Sequence, residues 1–140
     1  MVTISERDWK NIVEYAAGRL PEEACGLLAG DVLPDGTRIV RKVYFLENTD
    51  HSTEHFSMSP RDQLAAVKDM RSNGWRMLGN WHSHPESPSR PSEEDVRLAF
   101  DPDASYIILS LQAREAPNMN AFRIRNGTYE WDILEIKQRT

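Results

Sequence analysis

The chain is 140 residues long, room for a single domain spanning 1–140 that can bury a core without disulfides or a structural metal. Hydrophobic residues make up 39% and charged residues 28%, and the net charge of −5 comes without any basic run, which argues for a globular protein and against nucleic-acid binding. No apolar stretch reaches the roughly 20 residues that span a bilayer, Met1–Asn11 lacks the regions of a signal peptide, and the lone Cys25 has no disulfide partner within the chain, so the expectation is a cytoplasmic protein that makes no membrane contact.

The first element in chain order is a helix from about Ser5 to Leu20. Ser5 with Asp8 three residues on resembles a capping box, and Trp9, Ile12, Val13, Ala16, Ala17 and Leu20 form one apolar stripe that Pro21 ends. Ala24–Gly30 is a short apolar run, expected as a buried strand. Leu33–Gly36 reads as a turn, and Thr37–Leu46 is rich in β-branched and aromatic residues, as a strand requires. Ser59-Pro60 opens a second helix, with Ser59 as N-cap, Leu64, Val67 and Met70 on its buried side, and Gly74 past its end. Trp75–His82 is expected as a strand leading into the Pro-rich segment His84–Pro91. Ser92 to about Phe100 follows as a short helix, and Ser105–Leu111 as a central strand. Ala121–Arg125 and Tyr129–Ile136 are predicted to pair as a hairpin through Asn126-Gly127. Three helices and about six strands give an α/β fold: a mixed central sheet flanked by helices.

The chemistry concentrates in Asn80-Trp-His-Ser-His-Pro85 and Ser92-Glu-Glu-Asp95. Positions i and i+2 of a strand share a face, so His82 and His84 can present two imidazoles to one point. Asp95, in the first turn of the next helix, offers a third ligand. Two His and a carboxylate leave one tetrahedral position open, the pattern of a catalytic metal site. Pro85, Pro88 and Pro91 stiffen the connection. Ser92 and Asp95 also fit an ordinary helix cap, and a carboxylate turned back to the Ser92 amide is less free to ligate a metal. The two readings compete.

With these residues the chain resembles the JAMM, or MPN-domain, metalloproteases, whose motif is His-x-His, seven residues, Ser, two residues, Asp. The family's upstream Pro-x-Glu-x-x-Gly is matched by Pro21-Glu22-Glu23-Ala24-Cys25-Gly26, and the register selects Glu23 over Glu22. The resemblance runs from the first helix to at least Leu111. It implies a three-layer α-β-α fold similar to cytidine deaminases, in which His82, His84 and Asp95 hold one zinc ion per chain. Glu23 would hold the attacking water and take its proton, and Ser92 would hydrogen-bond the oxyanion. The implied activity is that of a zinc metallopeptidase cleaving a peptide or isopeptide bond without a covalent intermediate. Only seven residues separate Asp95 from Asp103, so there is no chain-gripping insertion in that stretch. The compact length resembles stand-alone prokaryotic members, which implies as partner a small ubiquitin-like or sulfur-carrier protein with a C-terminal Gly-Gly tail.

Asn48–Phe56 is the candidate groove edge for that tail, and His51 and His55 within it are expected to be solvated or to touch substrate. Trp81 is expected to wall the site, and Trp9, Trp75, Trp131 and Phe122 to lie in the core. Cys25, in an apolar setting, is expected as a core residue rather than a nucleophile. A non-catalytic metal-binding MPN scaffold in a protein assembly is the alternative reading. A nucleobase deaminase is excluded, because its Cys-x-x-Cys pair cannot be made from one cysteine.

Overall fold

The computed structural model describes Met1–Gln138. Its elements are β1 Val2–Ser5, α1 Glu6–Arg19, β2 Cys25–Val32, β3 Arg38–Leu46, α2 Pro60–Ser72, β4 Arg76–His84, α3 Glu93–Leu98, β5 Ser105–Ser110, β6 Asn118–Arg125, β7 Thr128–Asp132 and β8 Leu134–Lys137. The eight strands form one mixed sheet in the order β7-β6-β5-β4-β2-β3-β1-β8. Each helix starts on a serine whose hydroxyl accepts an amide three residues on: Asp8 at Ser5, Asp62 at Ser59 and Asp95 at Ser92.

Strands β1 and β8 exceed the six expected. The predicted strand Tyr129–Ile136 breaks at Ile133, whose amide turns onto the Asp132 carboxylate. Past the break, β8 pairs in parallel with β1, on the far edge of the sheet from β7. Asp132 and Leu134 are two residues apart, at most about 7 Å of chain. The sheet therefore curls until its two edges meet, with Val2 N–H donating to Ile133 O at 2.8 Å. Asn126 and Gly127 both have positive φ (51° and 76°), as the predicted two-residue turn requires.

The curl creates two unlike faces. One packs α1: Ile12 and Ala16 are fully buried against Val2, Ile4, Leu28, Trp81, Ile107 and Leu109. Burying a side chain of the size of Ile12 contributes roughly 1.5–3 kcal/mol. The other face carries α2 over Leu27, Ala29 and Tyr44, and α3 over Tyr106, Ile108 and Phe122. In α2 the buried pair is Ala66 and Met70, whereas Leu64 is 55% exposed and Val67 half-buried, so the apolar stripe is offset from the one expected. Trp131 is likewise exposed, at 62%, against the expectation of a core position.

Gly26 explains how β2 can lie so close to its neighbours. A Cβ there would fall 1.7 Å from Tyr44 O and 2.4 Å from the Trp81 indole nitrogen. The bare backbone leaves room for Trp81 Nε1 to donate to Tyr44 O at 3.1 Å. That bond fixes Trp81 in the core on the α1 face. Trp81 is not a wall of the His82 site, because adjacent residues of a strand point to opposite faces.

Candidate metal centre

His82 and His84 sit at the end of β4, on the α2/α3 face. The antiparallel register pairs Cys25 with His82. Continued two residues, it sets Glu23 opposite His84. Asp95 reaches the same point from the first turn of α3. His82 Nε2 and His84 Nε2 are 3.1 Å apart, and Asp95 Oδ2 lies 3.2 Å from the first and 3.1 Å from the second.

Three ligand-type atoms in a near-equilateral triangle are arranged to share one cation. His84 Nδ1 lies 2.9 Å from Pro88 O; as donor to that carbonyl it leaves Nε2 with an inward-facing lone pair. Metal–ligand distances of 2.0–2.2 Å in a tetrahedral zinc site place ligand atoms about 3.3 Å apart, close to the triangle seen here. Among the described residues, His82, His84 and Asp95 are the group able to hold an ion, and the donor set fits zinc.

The cap and the histidine contacts fall on one oxygen of Asp95. Asp95 Oδ2, the oxygen facing both imidazoles, also accepts the Ser92 amide at 2.9 Å. The capping box aims the carboxylate at the histidines. Burial pushes the Asp95 pKa up, but the adjacent His82 and His84 rings and the Ser92 amide outweigh it and hold the group well below the usual carboxylate range. Ser92 Oγ accepts from Asp95 N–H at 3.0 Å, which leaves the exposed hydroxyl's proton free to be donated outward.

Glu23 is 4% exposed, and its Oε1 is buried without a protein hydrogen-bond partner. Burial, reinforced by the charges of Asp95, Glu94 and Glu54 and opposed by His84, pushes its pKa up to about 8. Glu22 instead faces His51 at the surface, 3.2 Å away. Cys25 is fully buried, and burial followed by the Glu23 charge raises its thiol to about 12, so it is no nucleophile at neutral pH.

A family model described as prokaryotic homologs of the JAB domain matches residues 5–125. The chain belongs to this prokaryotic JAB family. The JAB chain is 29% identical to the CysO-cysteine peptidase of Mycobacterium tuberculosis (strain ATCC 25618 / H37Rv) over 128 residues, 91% of this chain and 86% of the relative. It is 33% identical over 102 residues to a desampylase of Haloferax volcanii, covering 72% of this chain and 71% of that one. A Desulfitobacterium hafniense protein with a solved solution structure matches with a TM-score of 0.91 at 49% identity, covering 99% of this chain and 94% of that chain. Its JAB/MPN fold is thus the mixed sheet with three helices described above.

A cleft of about 320 Å³ opens beside His82 in the gap between α2 and α3, floored by Leu27, Asn80, Tyr106 and Ile108. Phe56 stacks on the His82 ring at 4.7 Å and lines this cleft with His55. Asn48 is not at the rim. It is buried, and its side chain is spent within the loop, donating to Glu23 O and His55 O and accepting from the Asp50 and Ser57 amides. Sequence reading missed the cleft floor, because Leu27, Tyr106 and Ile108 look like any core strand residues. Their alternation with Leu28 and Ile107 places them on the His82 face.

Proposed function

We propose that this chain is a zinc-dependent metallopeptidase that cuts after the C-terminal Gly-Gly of a small ubiquitin-like or sulfur-carrier protein. One observation carries the reading: His82 Nε2, His84 Nε2 and Asp95 Oδ2 converge within 3.2 Å beside a buried, unpartnered glutamate oxygen. The names of the relatives, a CysO-cysteine peptidase and a desampylase, support the reaction class.

Zinc held by the three side chains would supply Lewis acidity and bring the pKa of a water toward neutrality. The chain's own residues do the rest. Glu23 accepts the proton of the attacking water and delivers it to the leaving amine, and its raised pKa suits a group that must both take and return a proton near pH 7. The Ser92 hydroxyl donates to the carbonyl oxygen as charge develops there. Asp95, tied to the Ser92 amide, holds α3 and β4 in register, and Pro88 O fixes the His84 tautomer.

The relatives' names and the cleft beside His82 support the substrate assignment. His55 of the 47–58 loop and Glu94 of α3 face each other at 3.9 Å across the cleft. Two glycines, lacking side chains, would let an extended tail lie close against the cleft lining beside His82. The test is a sulfur-carrier fusion with one extra residue after its diglycine, incubated with the zinc-loaded protein and read by mass spectrometry. Trimming to the diglycine is expected, and a bulky residue in place of the second glycine should block it. Equal cutting of both tails, or preference for linked ubiquitin, would overturn the substrate assignment.

A further inference from the structure

The proposed base is held in place through its backbone, and the grip comes from two separate parts of the fold. Glu23 N–H donates to Ser52 O at 2.8 Å, and Glu23 O accepts from Asn48 Nδ2 at 3.0 Å. Both partners belong to the 47–58 loop. On the other side, Ala24 O accepts the Ser83 amide at 2.9 Å, and Ala24 N–H donates to the Ser83 hydroxyl at 2.8 Å. Ser83 is fully buried and lies between the two histidines.

The Ser83 hydroxyl has a particular job here. The last registered pair of β2 with β4 is Cys25–His82, and past it only the Ser83 N–H to Ala24 O backbone bond is made. One residue further out, a side-chain oxygen takes the place of the ladder's carbonyl acceptor. The spacing between Glu23 and the histidine pair is therefore set by one backbone bond, Ser83 N–H to Ala24 O, and by the Ser83 hydroxyl in place of the second. No protein group holds the Glu23 Oε1 end, so the position of that carboxylate depends on its backbone anchors.

We infer that Ser83 is a positioning residue for Glu23, tying the base to the strand that carries His82 and His84, with Asn48 completing the clamp from the loop. The inference rests on Glu23 being the base of the proposed reaction. Displacing a reacting group by about 1 Å costs on the order of 10²-fold in rate. Loss of the Ser83 hydroxyl should therefore lower kcat while leaving substrate binding and the metal ligands alone.

The experiment compares Ser83→Ala and Ser83→Cys with wild type in the zinc-loaded protein, using the carrier fusion as substrate. For Ser83→Ala the expected result is a fall in kcat of about 30- to 100-fold, with KM and zinc affinity by chelator competition each within about threefold. Amide exchange at Ala24 should quicken, while exchange in the rest of β4 stays as in wild type. Ser83→Cys, similar in size but a weaker acceptor, should fall between the two and serves if the alanine variant fails to fold. Zinc affinity falling in step with kcat would overturn the inference, because Ser83 would then act on the histidines. An unchanged kcat despite faster Ala24 exchange would also overturn it. If wild type leaves the fusion uncut, the proposed function falls, and the exchange and zinc measurements still decide whether Ser83 holds Glu23 or the ligands.

Discussion

Glu23→Gln should make the metal-free protein more stable while destroying its activity. The glutamate is buried and its pKa is raised from 4.5 to about 8, chiefly by desolvation. Between those values the unfolded chain has already released the proton that the folded protein keeps. The folded state then binds more protons, so stability falls as pH rises through this window. At about 1.4 kcal/mol per unit, the cost at pH 8.5 is on the order of 5 kcal/mol, and at pH 4.5 it is largely absent. Glutamine keeps the shape of the protonated acid and does not titrate. Urea unfolding of both proteins in excess chelator, from pH 4.5 to 8.5, measures the difference. The two stabilities should nearly coincide at the acid end and separate steadily above it, the variant being the more stable. Groups remote from Glu23 cancel in the difference, which is left to Glu23 and its charge partners His84, Asp95 and Cys25. Curves that stay parallel across the window would refute the buried, raised carboxyl. With zinc restored, the same variant should lose hydrolysis by several orders of magnitude, the exchange of stability for function expected of a desolvated base.

His82→Ala and Asp95→Ala should each lose zinc by elemental analysis, and full occupancy in both would sink the site. Ser92→Ala should cost 10²–10³ in turnover, the range for one oxyanion donor, and about 1 kcal/mol of stability from the lost cap, so melting and rate must be measured on the same samples. Cys25 in the folded protein should resist alkylation at pH 7.5, since burial holds its thiol near 12; rapid modification without unfolding, or complete loss of activity in Cys25→Ala with the fold intact, would contradict its structural role.

What the sequence discloses is what local rules govern. The serine caps, the α1 stripe and the Asn126-Gly127 turn depend on residues within a few positions of each other, and each is found where expected apart from Ala17 of the stripe, which is exposed. The His82 and His84 pair was legible for the same reason, from the two-residue period of a strand. Strands β1 and β8 were not, because four residues such as Val2–Ser5 carry too little periodicity, and their pairing is fixed by the curl of the sheet. The loop from 47 to 58 has no periodic pattern at all. Its form comes from the buried Asn48 amide, which looks in sequence like any polar loop residue. Trp81 was misplaced beside the metal because sequence adjacency to His82 outweighed the alternation that sends it to the α1 face.

The decisive property of this protein is which side chains surround zinc once it is bound. X-ray absorption at the zinc edge of protein loaded with one equivalent reads the ligands directly. A shell of nitrogen and oxygen near 2.0–2.1 Å, with two imidazoles and no sulfur, is the expected result, and His84→Ala should lose that shell along with its zinc. A sulfur shell near 2.3 Å, or a spectrum unchanged by the loss of His84, would contradict the assignment of His82, His84 and Asp95 as the metal centre.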